Sequence, residues 1–121
     1  MSNKGAQHNM PKAGDIVLIP FPFTDLSSTK SRPALLLTNP DRDGDFIAAA
    51  VTSQSGHDAS VALDPAHITN GSLPKASWVR ADKLFTFQRS IVQRHVASVQ
   101  PQVMRDTLAV LCPAIGCCAE A

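Results

Sequence analysis

Ser31-Arg32-Pro33-Ala34-Leu35-Leu36-Leu37-Thr38, with Ala50-Val51-Thr52-Ser53 downstream, is the stretch on which the fold turns. Proline disfavours helix in the residue before it, so Arg32 reads as extended backbone, and Pro33 can open a strand because a first residue need not donate to a ladder. The apolar run from Pro33 to Thr38 is therefore predicted to be a strand with Arg32 at its mouth. A permanently charged planar fork on rigid backbone suits phosphate better than a core.

Working outward, Gly14-Asp15 is a turn into Ile16-Val17-Leu18-Ile19-Pro20-Phe21, a strand predicted from about Asp15 to Phe21 and marked as an edge by its prolines. Thr24 to Ser31 is a hydroxyl-rich loop without apolar periodicity. Asn39-Pro40 and the acidic turn Asp41-Arg42-Asp43-Gly44-Asp45 make a hairpin with Phe46 to Thr52, which is apolar on both faces and reads as a central strand. Val61-Ala62-Leu63 is a short fourth strand, and Ile68 to Ser72 is read as a turn. Ser77 to Phe87 is a fifth strand, and Ile91 to Val99 contains a sixth. Gln102 to Leu111 places Val103, Thr107, Val110 and Leu111 on one helical stripe with Leu108 beside it, and Pro113 is expected to stop the helix. Short strands with turn punctuation and one closing helix predict a mainly β protein, a small bent barrel of about five to seven strands with a C-terminal helix.

The 121 residues suit one domain with its own core. We expect a flexible leader over residues 1–13, the barrel over 14–112 and a flexible tail over 113–121. No apolar run is long enough to span a membrane and the leader has no signal-peptide character, so the expected location is the cytoplasm, with no membrane partner. Cys112, Cys117 and Cys118 crowd the last ten residues, an odd number at a chain end that argues for free thiols rather than a disulfide framework. They lack a matching Cys/His pair at zinc spacing, so neither a metal nor any other cofactor is expected.

The net charge is only +1, too little for a protein that coats duplex DNA. Any nucleic-acid contact must be local. The cations available for it are Lys30, Arg32, Arg80, Lys83 and Arg89. In an extended segment Trp78, Arg80 and Asp82 share one face and Val79 and Ala81 the other. An Arg and Asp two apart are commonly a surface ion pair, and Thr52-Ser53 at a strand end commonly satisfies backbone, so neither motif decides function alone. Trp78 either stacks a base or packs in a core or interface. Of the four histidines only His57 follows Thr52-Ser53 closely, and its position favours a solvated loop residue.

Taken together, Gly14-Asp15-Ile16-Val17, Arg32-Pro33-Ala34-Leu35, Val51-Thr52-Ser53 and Val79-Arg80-Ala81-Asp82 resemble the MazF/PemK family of toxin ribonucleases from bacterial toxin–antitoxin pairs, over about residues 13–111. The resemblance implies an SH3-like barrel, a homodimer, a cognate antitoxin partner and metal-independent, sequence-selective cleavage of single-stranded RNA. It assigns catalytic roles to Arg32 and Thr52, with Arg80 and Asp82 matching an Arg-x-Asp pair used in some members. Ser53 matches an RNA-contacting position, and Lys30, Trp78 and Lys83 are further RNA-binding candidates. The sequence departs from members that carry a His before Arg-Pro, since this loop offers Asp25, Ser27, Ser28, Thr29 and Lys30. That leaves Asp82 as the candidate base. Two competing functions share the barrel: a non-enzymatic toxin acting on DNA gyrase, and a degenerate SH3-like binding module. Neither needs Arg32, Thr52, Arg80 and Asp82 together.

Overall fold

A computed structural model describes residues 10–22 and 29–117. Seven strands form one antiparallel sheet: β1 (Asp15–Pro22), β2 (Thr29–Leu36), β3 (Asp45–Thr52), β4 (Ser60–Leu63), β5 (Ile68–Gly71), β6 (Ser77–Gln88) and β7 (Arg94–Val99), in the order β4-β6-β3-β2-β1-β7-β5. A helix, α1 (Pro101–Ile115), follows. It packs on β4 and β6 near one end of that order and on β7 near the other. A single helix can touch both ends only if the sheet curls around it, and this is the half-barrel. The leader up to Asn9, the loop residues Asp25, Ser27 and Ser28, and Cys118 lie outside the described residues.

The curl gives the sheet two apolar faces. Ile16, Leu35, Ala49, Val51, Val79, Ala97 and Val99 join Val103 of α1 in one buried cluster. Val17, Ile19, Ala34, Leu36, Phe46, Ala48 and Phe87 form the other. β3 contributes to both, as its uniformly apolar sequence predicted for a central strand. Asp15, 4 % exposed, ties the first strand to β7. It accepts hydrogen bonds from the Lys12 N–H at 3.0 Å and the Ser98 hydroxyl at 2.9 Å, and Ser98 in turn meets His95 Nε2 at 2.9 Å.

Four sequence expectations change. β2 begins at Thr29, so Arg32 lies inside the strand rather than at its mouth. Pro33 is tolerated there because the β2–β3 ladder covers only Ala34 to Leu36, leaving Pro33 beyond its end. The segment read as a turn at Ile68–Ser72 is largely β5, which pairs with β7. Its turn-forming composition yields to the open ladder of β7, and Gly71 serves close approach instead: with φ of +77°, a Cβ there would collide with the Val96 carbonyl and lie 2.8 Å from the Ala97 Cα. The helix runs through Pro113 to Ile115 and ends at Gly116, whose φ is +85°. Pro113 removes only the bond to the exposed Ala109 carbonyl, which water can satisfy. On α1, Val103, Thr107 and Leu111 are buried while Leu108 is 44 % exposed, so the stripe is narrower than the sequence suggested.

Two substitutions test this packing. Gly71→Ala should cost about 1–3 kcal/mol in urea unfolding, because the backbone must leave the left-handed region and part from β7. Thr107 is fully buried and its hydroxyl finds no hydrogen-bond partner among the described residues. Thr107→Val keeps the shape and removes the unsatisfied oxygen, so it should raise stability by about 1 kcal/mol.

Candidate RNA-binding and catalytic cleft

The site follows from strand register. Val17, Ala34, Ala50, Arg80 and Ser60 are successive partners across β1, β2, β3, β6 and β4. In the adjoining row Ile19 pairs with Arg32 and Thr52 pairs with Trp78. The β2–β3 ladder ends at Ala34↔Ala50, and beyond its end Arg32 on β2 and Thr52 on β3 continue on the same side of the sheet. Alternation then puts Arg32, Thr52, Trp78 and Arg80 on one face of the sheet, the face that carries Ala34 and Ala50.

A cleft of about 280 Å³ opens where these strands end. Lys30, Arg32, Thr52 and Ser53 line it, together with Leu73, Pro74 and Lys75 from the segment before β6. The Thr52 hydroxyl oxygen accepts the Gln54 N–H at 3.1 Å, which orients it and leaves its own proton to donate. Ser31, on the other side of β2, hydrogen-bonds Gln93 at 2.7 Å and so helps hold the strand that carries Arg32.

Arg80 and Asp82 stand beside this cleft and not in its walls. Their side chains form an ion pair of 3.6 Å, with Arg80 22 % and Asp82 43 % exposed. Asp82 owes its position to a bulge: Ala49 pairs with Leu84 and Ala50 with Arg80, so Ala81, Asp82 and Lys83 are extra residues on β6. Bulges re-aim side chains, and this one turns Asp82 and Lys83 outward, where both are exposed. The Arg80 Nε is buried without a hydrogen-bond partner among the described residues, an unspent donor pointing from the guanidinium. Trp78 is half-buried beside Thr52 and belongs to neither apolar cluster, so its ring borders the polar face.

The structure thus gathers Lys30, Arg32, Thr52 and Ser53, places Trp78 alongside, sets Arg80 and Asp82 one row away, and leaves Lys83 outside the cleft. Sequence reasoning missed Lys75. It lies in Ser72-Leu73-Pro74-Lys75-Ala76, whose only local signal is a proline-marked connection before a strand; the fold alone brings it to the wall of the cleft that Arg32 also lines. Among the described residues no group of three His, Cys, Asp or Glu side chains could hold a metal ion. Their helices include none long and apolar enough to cross a membrane.

Comparison with known proteins bears on this arrangement. Residues 12–115 match the family described as PemK-like, MazF-like toxin of type II toxin–antitoxin system. The fold is similar to that of MazF from Deinococcus radiodurans, with a TM-score of 0.71 and 26% identity over 88% of this chain and 97% of that one. It is also similar to an endoribonuclease solved with its cognate antitoxin from Mycobacterial species, with a TM-score of 0.70 and 21% identity over 88% and 95% of the two chains. A MazE–MazF complex from Deinococcus radiodurans gives a TM-score of 0.71 and 24% identity, covering 88% and 97%. No curated protein matches the chain at a significant level.

The exposure of Asp82 predicts that its ion pair does little for stability. Asp82→Asn should shift the urea unfolding free energy by less than about 1 kcal/mol, so any larger effect of that variant on function is not a folding effect.

Proposed function

This chain belongs to the PemK-like, MazF-like toxins of type II toxin–antitoxin systems, and on that premise we propose that it is an endoribonuclease that cuts single-stranded RNA at the Arg32–Thr52 cleft. The observation that carries the reading is the single cleft lined by a strand-held cation and an oriented hydroxyl. The roles of the residues follow from what cleavage demands. The ribose 2′-oxygen loses its proton and attacks phosphorus, the bond from phosphorus to the 5′-oxygen breaks, and a 2′,3′-cyclic phosphate and a 5′-hydroxyl result. Such a reaction needs a base, donors for the phosphoryl oxygens as charge builds, and a proton for the leaving oxygen.

Arg32 and Thr52 supply donors to the phosphoryl oxygens. Arg80, whose guanidinium is partly exposed beside the cleft, adds positive charge toward the same phosphate from the next row. Asp82, held beside Arg80, is the carboxylate that takes the 2′-proton, and water protonates the 5′-oxygen. Arginine holds its proton far above neutral pH, so its part is electrostatic. Lys30, Ser53, Trp78 and Lys83 hold the flanking nucleotides, Trp78 by stacking. No step draws on a metal ion, and the reaction proceeds in chelator. A homodimer and an antitoxin that covers the cleft complete the reading; the toxin–antitoxin complexes among the similar structures support the second partner.

Purified protein should cut a long RNA in EDTA and leave 2′,3′-cyclic phosphate ends, and the matching DNA should bind without being cut, since it lacks the nucleophile. Arg32→Ala and Thr52→Ala should each lower the rate about 100-fold or more, the usual effect of removing one donor to a developing oxyanion. Asp82→Asn should lower it with stability unchanged. Intact RNA across varied sequences, or ends bearing a 3′-hydroxyl, would overturn the assignment.

A further inference from the structure

A second hollow, about 410 Å³, lies on the far side of the segment that walls the cleft. Leu73, Pro74 and Lys75 line both, so the two cavities are neighbours across one short stretch of chain. The hollow is of a size that takes small flat ligands. Its walls include buried Leu63, half-buried Ile68 and the ring of Pro65, which offer apolar surface to a π-face. Its polar side chains are few: Asp64, Ser72 and Lys75. The Asp64 backbone is set by the turn that follows it. Its N–H is donated to His67 Nδ1 at 3.3 Å, and its carbonyl accepts the His67 N–H at 2.8 Å.

We infer that this hollow is a base-specificity subsite. It takes the nucleobase flanking the scissile phosphate, with Lys75 on the phosphodiester between the two cavities and Asp64 accepting from an exocyclic amino group of that base. The inference rests on the ribonuclease reading of the Arg32–Thr52 cleft and adds a second contact point to it. Continuity favours RNA over a peptide here: the two cavities share Leu73, Pro74 and Lys75, so a strand held at Arg32 passes Lys75 to reach the hollow, and an apolar slot lined by one carboxylate matches a base. A carboxylate accepts from the amino groups of adenine, cytosine and guanine, whereas the carbonyl oxygens of uracil would face it unfavourably. Asp64 is then a specificity residue, and Lys75 a phosphate contact.

The test uses the full-length protein, with every cleavage end in a long RNA sequenced for wild type, Asp64→Asn and Lys75→Ala. Wild type should disfavour uracil at one position next to the cut. Asp64→Asn, whose amide both donates and accepts, should relax that preference roughly tenfold at that position alone. Lys75→Ala should weaken binding to all sequences and reduce the dependence of log affinity on log salt by about 0.7. Binding is read in parallel on short oligoribonucleotides with a 2′-deoxy sugar at the cut position, so the subsite is measured even if turnover is absent. Cleavage or binding by Asp64→Asn with the wild-type base preference overturns the subsite, and an unchanged salt dependence in Lys75→Ala overturns the phosphate contact, leaving the hollow to a peptide. Failure of wild type to cut any RNA, with base-selective binding intact, would instead sink the catalytic reading and keep the subsite.

Discussion

The pairing register of β3 between β2 and β6 is the constraint on which this molecule depends. Ala34↔Ala50 on one side and Thr52↔Trp78 on the other decide which side chains share a face and a row. A slip of one residue would exchange the two faces of the strand, sending Thr52 toward the helix and Val51 toward the cleft. Such a slip is costly because both faces of β3 are buried: Ala49 and Val51 pack in the cluster that holds Val103, and Phe46 and Ala48 in the cluster opposite. The core therefore enforces the geometry of the site. The small alanines at the centre of β3 fill both buried clusters without crowding either.

The ends of the sheet are secured separately. Asp15 draws Lys12, Ser98 and, through Ser98, His95 into one hydrogen-bonded group where β1 meets β7. Gly14, at a φ of +94°, donates to the Leu36 carbonyl and accepts from the Val99 N–H, linking β2 and β7 across the start of β1. Helix α1 then closes the curl from beneath. These contacts lie away from the cleft, which leaves the cleft lined by strand ends and one proline-containing segment. The register shifts at Ile16/Val17 and at Ile68/Asn70, and the longest departure, at Ala81–Lys83, interrupts β6 where Arg80 and Asp82 meet. There two of the three extra side chains are charged and exposed, a pattern expected of functional rather than structural positions.

Much of the architecture was legible in the residues. The β-branched and aromatic runs, the Asp-Arg-Asp-Gly-Asp turn and the single helical stripe identified six of the seven strands and the helix. β5 was missed because Ile-Thr-Asn-Gly has the composition of a turn, and only the unpaired side of β7 makes it a strand. The helix end was misplaced for a related reason. Proline near a C-terminus loses one backbone bond in the last turn, and the left-handed Gly116, not Pro113, ends the helix.

The sequence by itself determined the chemistry available: an arginine held extended by the proline after it, a Thr-Ser strand end, and an Arg-x-Asp pair whose two side chains alternation must place on one face. Tertiary structure alone decided which of these meet. Arg32 and Thr52 come to line one cleft, regular pairing sets Arg80 opposite Ala50, the β6 bulge turns Asp82 outward, and the Leu73–Lys75 segment adds a cation that no motif announced. The physical reason is that residue type and local periodicity fix where a side chain points along its own strand. Which strand lies beside it is set by burial of apolar surface summed over the whole chain.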